Sequence, residues 1–277
     1  MKADQLKATW LLLERPWLEM VVRRGPAPVF ATVSGAHLYG FASPDSDVDL
    51  RGAFLLPLRD VLGLRPAAET ITVTEKSPVD LDWVAHDLRK FARMLTSHNG
   101  YALEQLFSPL VVVATPAFEE LRELARGCVT RPTVRHYLGF ARGRRQRLAE
   151  PDPTVKHLLY AYRVLLSGIH AMRTGEIVAD LPSLAEAVPV DGLSELADRK
   201  RAGAEAMALG PGEAKEHGRR LDGLEEALHE AHAKSTLPEE PTTAAALEDL
   251  VVRLRLATDP DADRAPRPAG PSERPAP

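Results

Sequence analysis

Hydrophobic and polar positions change period along this chain. Val29-Phe30-Ala31-Thr32-Val33 is a short apolar run after the breaker Gly25-Pro26-Ala27-Pro28, and it predicts a buried strand. Val48 to Leu56 predicts a second strand. Thr70 to Glu75 alternates β-branched and polar residues, as a half-buried strand requires, and Val79 to Val84 alternates again after a turn at Ser77-Pro78. Ser34-Gly35-Ala36 and Ser43-Pro44-Asp45-Ser46 are turns, with a short helix expected to start within His37 to Phe41. From Asp87 to Ser97 the period lengthens, and Leu88, Phe91, Met94 and Leu95 share one helix face. Upstream, Leu6, Trp10, Leu13 and Trp17 recur at roughly helical spacing over 1–24, with Pro16 expected to end or kink that helix.

After about residue 100 the spacing is mostly helical. It predicts helices near 101–107, 116–126, 131–149, 154–174, 192–208, 211–233 and 243–256, with Val111-Val112-Val113 as one more short strand. No internal repeat is visible. Strands come first and helices after, which predicts an α+β chain: a catalytic domain with a short mixed sheet over 1–110, then a mostly helical region over 111–257. Residues 258–277 are rich in Pro, Asp, Arg and Ala, cannot bury a core, and predict a disordered tail.

Composition narrows the class. The 277 residues suffice for one large domain or two modest ones, and a net charge of -4 excludes a molecule that is basic overall. The single cysteine, Cys128, excludes an internal disulfide and a cysteine-based zinc site, and it reads as an inert core residue. The histidines lack metal-binding spacing, so zinc is not expected. No signal peptide is apparent, and no apolar stretch approaches the roughly 20 residues of a membrane span. A cytoplasmic protein with no membrane partner is expected.

The candidate chemistry lies between Ser34 and Gly52. A glycine turn between a strand and a helix can aim backbone N–H groups at an anion, and the helix N-terminus adds partial positive charge. About ten residues later Asp47-Val48-Asp49 enters a strand, and alternation puts both carboxylates on one face. Two adjacent carboxylates repel unless a cation lies between them, and a hard oxygen pair suits Mg²⁺ or Mn²⁺. A phosphate cradle beside a metal pair is what nucleotidyl transfer from a nucleoside triphosphate requires. The second alternating strand offers a third carboxylate, with Asp82 preferred and Asp80 the alternative. Arg51 shares the strand face of the pair and is placed either to hold a phosphate or to pair with Asp49. Lys156, Tyr160 and Arg163 share a helix face suited to stacking on a base and holding phosphates, and His157 and His170 neighbour it. Arg142, Arg144, Arg145 and Arg147 form a basic run that could touch an acceptor. Lys90, Glu104 and His37 are further residues that could support the site.

The segment resembles the signature of the DNA polymerase β nucleotidyltransferase superfamily, Gly-Ser followed about ten residues on by Asp-x-Asp. Tyr39-Gly40, Pro44-Asp45-Ser46-Asp47-x-Asp49 and Arg51-Gly52 are similar to the RNA-ligase-associated, phage-type nucleotidyltransferases. Asp87-Leu88-Arg89-Lys90-Phe91, Asn99 to Leu106, Ser108-Pro109 and Arg173-Thr174-Gly175-Glu176 extend that likeness over about 29–256. The resemblance implies a polymerase β-like fold and a metal-dependent enzyme. It would move a nucleoside monophosphate to a hydroxyl of RNA, protein or a small molecule. It implies Asp47, Asp49 and Asp82 as catalytic and metal-binding residues, with Ser34, Gly35, Arg51, Lys156, Tyr160 and Arg163 around the nucleotide. Alanine stands at position 36 where the superfamily has the serine that touches a phosphate. That departure leaves a non-catalytic nucleotide-binding regulator, or an antitoxin-like partner protein, as the alternative.

Overall fold

The structure is a computed structural model that describes residues 14–257, apart from 151, 204–206 and 211. The expected helical stretch before residue 14 and the expected tail over 258–277 lie outside the described residues. Helix α1 covers 14–23, with Pro16 inside it, and buries Leu18, Val21 and Val22. Strand β1, Pro28–Val33, is buried along almost its whole length, as a continuous apolar run should be. Next come α2 (Gly35–Tyr39), β2 (Val48–Phe54), α3 (Leu58–Leu62), β3 (Thr70–Glu75) and β4 (Leu81–Asp87). Helices α4 (Leu88–Thr96) and α5 (Gly100–Phe107) lead to β5 (Val111–Ala114) and α6 (Pro116–Ala125). The remainder is helical: α7 (Val134–Leu148), α8 (Val155–Thr174), α9 (Leu181–Ala187), α10 (Leu193–Ala202), α11 (Glu213–Lys234) and α12 (Ala244–Leu256).

The five strands form one mixed sheet in the order β3-β4-β2-β1-β5. Only β2 and β4 run parallel; they align Asp49 with Asp82 and Phe54 with Asp87. The sheet thus extends past residue 110, because β5 pairs antiparallel with β1. One sheet face carries Phe30 and Ala53 and packs on α4, α5, α6 and α12. There Phe30 meets Phe91 edge-on at 5.2 Å and stacks on Phe118 at 5.1 Å. The other face carries Val33, Leu50 and Trp83 and continues into the helices α7 to α11. Helix α8 is buried around nearly its whole circumference and forms the axis of that region. Thr154 caps its start by accepting from the His157 N–H, and left-handed Gly175 ends it.

Three elements depart from the sequence reading. The helix expected over 192–208 stops at Ala202, and the backbone at Met207 to Leu209 instead bonds to Pro153 and Val155. Helix α9, which the sequence reading lacks, is capped by Asp180, whose carboxylate accepts from the Ser183 N–H, has a proline in the first turn, and buries Leu181 and Leu184 at helical spacing. Helix α3, five residues long, fully buries no side chain; of its apolar Leu58, Val61 and Leu62, Val61 packs partly buried against the core.

Helix α12 returns from the far end of the chain to the sheet. Arg255 donates to both Asp87 oxygens, at 2.8 and 2.9 Å, and to the Leu56 carbonyl. Asp87 also accepts the Arg89 and Leu56 N–H groups. The side chains of this pair are 7% and 1% exposed. Removing one partner leaves a buried uncompensated charge, at a cost of about 3–5 kcal/mol. Arg255→Leu should therefore lower the calorimetric melting temperature by roughly 6–15 °C, whereas alanine at exposed Arg253 should move it by little.

His136 on α7 is lodged against Gly100, where an added Cβ would lie 2.7 Å from the ring. Burial, then the Arg163 charge, lowers its pKa to about 4. The unfolded chain takes up this proton near the ordinary value of about 6.5, while the folded chain does not until about pH 4. Stability should then fall as pH drops through that window, by about 3 kcal/mol from this group. Denaturant titrations of wild type and His136→Gln at pH 7 and pH 4.5 check this: the variant should lose measurably less stability between the two.

Candidate active site

Strand β1 runs into Ser34, whose N–H donates to the Asp49 carbonyl at 2.7 Å, so the glycine turn is stitched to the strand that carries the carboxylates. Gly35 follows with φ +60, and a Cβ placed there would fall 1.9 Å from Asp49 Oδ2. Both the left-handed backbone and the contact demand glycine. The first N–H groups of α2 have no carbonyl within the helix to bond, and the Ser34 hydroxyl at the N-cap does not cap them. Ser34 is fully buried; its hydroxyl lies beside the Tyr101 phenol and closes no hydrogen bond with the described residues. Ala36 is also buried. The turn therefore presents backbone, not a hydroxyl, beside the carboxylates.

Asp47 is exposed just before β2, and Asp49 is half-buried on it. The parallel register sets Asp82 directly beside Asp49. Arg51, two residues further along β2, folds back between them. Its Nη2 donates to Asp49 Oδ1 at 2.6 Å and to Asp82 Oδ2 at 2.8 Å. Its Nη1 donates to the Leu50 and Asp82 carbonyls at 2.8 and 2.6 Å, and its Nε to the Tyr101 hydroxyl at 2.8 Å. A guanidinium has five N–H donors, and these contacts engage all of them. Of the two placements considered for Arg51, the structure has the pairing with Asp49, not an open phosphate hook.

Burial pushes the Asp49 carboxyl above its ordinary pKa; Arg51 pulls it back, and Asp47 and Asp82 push it up again. Lys156 is near enough to pull it down as well. Burial outweighs Arg51, so the carboxyl stays above its ordinary range. Asp80 lies just outside β4 and pairs with Lys76 at 3.1 Å.

Helix α8 supplies the wall facing α2. Tyr160 meets Tyr39 and Phe41 edge-on, at 5.5 and 5.4 Å. The Arg144 guanidinium lies over the Tyr160 ring at 4.7 Å and the Lys156 ammonium at 6.0 Å. Arg163 does not share this half-open surface. It is 4% exposed, ion-paired with buried Glu104, and lies over the Tyr39 ring at 4.0 Å. Tyr39 in turn donates to Glu104 Oε2 at 3.3 Å. The arginine run on α7 is divided: Arg145 pairs with Asp222 and Glu225 of α11, Arg147 with Glu150, and Arg144 turns to Tyr160. Lys90 donates to Thr70 at 2.6 Å.

Tyr101 and the aromatic role of Tyr39 were not singled out from the sequence. Both are contacts across 50 or more residues, and spacing carries no signal for them; Arg144 was seen only as part of a charge run. Among the described residues no three His, Cys, Asp or Glu side chains converge on one point ready to enclose a metal. The oxygen donors of Asp47 and Asp49 still fit a hard divalent ion that takes one or two carboxylates and completes its shell with water and phosphate oxygens.

Comparison with known proteins adds the lineage. The chain is 32% identical over 162 residues to the protein MJ0002 of the archaeon Methanocaldococcus jannaschii, covering 56% of this chain and 65% of that one. It is 28% identical over 144 residues to YcgL of Bacillus subtilis, covering 50% and 54%. It is 27% identical over 116 residues to a 38.9 kDa protein of phage T4 from the nrdC-mobD intergenic region, covering 39% and 34%. The chain thus spans between about one third and two thirds of the length of these relatives. The model of the RNA repair pathway DNA polymerase beta family matches residues 18–253, which take in the whole sheet, the glycine turn and α8, and the chain belongs to that family.

Proposed function

We propose that this chain is a metal-dependent nucleotidyltransferase. It moves a nucleoside monophosphate from a nucleoside triphosphate to an acceptor hydroxyl and releases pyrophosphate. The observation that carries this reading is the juxtaposition of Asp49 with Asp82 in parallel register, Asp47 at the mouth, and a glycine turn pressed against Asp49.

In this reading Asp47 and Asp49 hold the divalent ion. The ion, when bound, neutralises triphosphate charge and stabilises the leaving pyrophosphate. The backbone N–H groups at Gly35 and Ala36 take phosphate oxygens, which explains how Ala36 serves without a hydroxyl. Lys156 reaches the outer phosphates, and Tyr160, stiffened between Tyr39 and Phe41, offers its ring to the base. Arg163 positions that wall through Glu104 and does not touch the nucleotide. Asp82 accepts the proton of the acceptor hydroxyl; the oxygen bonds to the α-phosphorus as the bond to the β-phosphate bridge oxygen breaks. The family's association with RNA repair makes an RNA end the first acceptor to test. Ala36 specifically favours a second reading, a nucleotide-binding regulator without turnover.

Calorimetric titration with each nucleoside triphosphate, with and without Mg²⁺, tests the site. At least one nucleotide should bind only with metal, and Asp47→Ala/Asp49→Ala should weaken that binding by about 100-fold or more. Transfer of label from an α-³²P nucleotide to an RNA end separates the enzyme from the regulator. Wild type that binds no nucleotide under any condition would sink both readings.

The wall has its own test. Tyr160→Ala should weaken nucleotide affinity roughly tenfold, the scale of one lost base stack. Lys156→Ala should do so by a similar factor that shrinks with added salt, and Tyr160→Phe should bind nearly as wild type. Equal affinities for all three variants and wild type would place the base elsewhere.

A further inference from the structure

Three carboxylates at a nucleotidyl-transfer site raise the question of how many cations they take, and the chain answers part of it with its own side chain. Arg51 already lies between Asp49 and Asp82, bonded to one oxygen of each. Its position is fixed from three further sides by the Leu50 and Asp82 carbonyls and the Tyr101 hydroxyl. The side chain is 12% exposed, against 22% for Asp49 and 34% for Asp82, so the guanidinium is the most sheltered member of the trio. Expelling it would break five hydrogen bonds at once and strand a charge in a partly dry place. Asp47 is exposed beside the pair, and the other Asp49 oxygen, Oδ2, lies against Gly35 and is not bonded to Arg51.

We propose that Arg51 permanently occupies the cation position between Asp49 and Asp82, so that the site takes one divalent ion, at Asp47 and Asp49, in place of two. Asp82 is then the partner of Arg51 and not a metal ligand. Arg51 is a positioning residue: it holds two carboxylates side by side without a second metal, and it holds the Tyr101 hydroxyl in place. This rests on the metal-site reading above and goes further by fixing the stoichiometry and the residue that sets it.

Electron paramagnetic resonance of Mn²⁺, titrated into full-length protein without nucleotide, counts bound ions directly. Weak unrelated sites are subtracted with Asp47→Ala/Asp49→Ala. Wild type should hold one Mn²⁺ per chain. Arg51→Met should hold two, or bind the first at least about tenfold tighter, because a fixed positive charge has gone and two carboxylates are released. Arg51→Lys should keep one. Asp82→Asn should also keep one, with affinity within about threefold of wild type, and this arm stands even if Arg51→Met does not fold. Two ions on wild type, or loss of the ion in Asp82→Asn, would overturn the proposal and leave the metal-site reading intact. A single ion of unchanged affinity in a folded Arg51→Met would do the same. No ion on wild type above the double-variant background would remove the metal site and the proposal together.

Discussion

Parallel pairing of β2 with β4 sets two carboxylates, Asp49 and Asp82, side by side on the same sheet face. Like charges held that way oppose folding unless a cation answers them. The answer is built into the same strand: Arg51 is two residues from Asp49, on the same face by strand alternation, and long enough to turn back over both acids. Much of the surrounding structure follows from keeping that guanidinium in place. Tyr101 must stand at the start of α5 to receive Nε, and Asn99 must cap α5 to start it there, its side-chain oxygen accepting from the Tyr101 and Ala102 N–H groups. The glycine turn must come close enough that only Gly35 fits against Asp49.

The helical region contributes through α8, not as a separate body. The core on one sheet face runs without a break from Leu50 and Trp83 into Leu158, Tyr162 and Leu165. Within it, the buried Glu104–Arg163 pair and the Tyr39 ring join α5, α8 and α2 at one point. A buried ion pair adds little net stability, but it fixes the register of the elements it joins. Here it sets the part of α8 that carries Lys156 and Tyr160 against the helix that begins at the glycine turn. At the opposite end of β4, Asp87 and Arg255 clasp the last described helix to the sheet. One strand thus carries an acid at each end, one facing the candidate site and one anchoring the far terminus of the fold.

What was legible in the sequence was what short-range periodicity encodes. The five strands, the glycine turn, the Asp-x-Asp face and the long helices α7, α8, α11 and α12 follow from spacing within a few residues. The α+β class follows from their order, and the family from the motif between Ser34 and Gly52. What spacing could not supply was pairing across the chain. Whether Arg51 turned to a phosphate or to an acid depended on β4 lying parallel and in register, and on Tyr101 arriving from 50 residues away. Arg163 shared a helical face with Lys156 and Tyr160 by arithmetic. Two turns of helix nonetheless carry it from the half-open end of α8 into the core, where Glu104 meets it. Helix α9 was legible in principle from its Asp180 cap, its first-turn proline and the helical spacing of Leu181 and Leu184, whereas the early end of α10 was not, because a backbone bridge to the start of α8 replaces it.

The same contrast explains why alanine is compatible with position 36. A serine hydroxyl at a phosphate turn is one donor among several, and the backbone N–H groups of the turn are present whatever the side chain. Gly35 has no such latitude, since its φ of +60 and its contact with Asp49 leave no room for a Cβ. With Arg51 fully engaged by protein acceptors, the proposed triphosphate needs positive charge from elsewhere. Lys156 at the start of α8 is the cation already close enough to act on Asp49. In the proposed reading the turn and the acids take the nucleotide's phosphates, and α8 brings a charge and an aromatic face, Lys156 and Tyr160, to the same place.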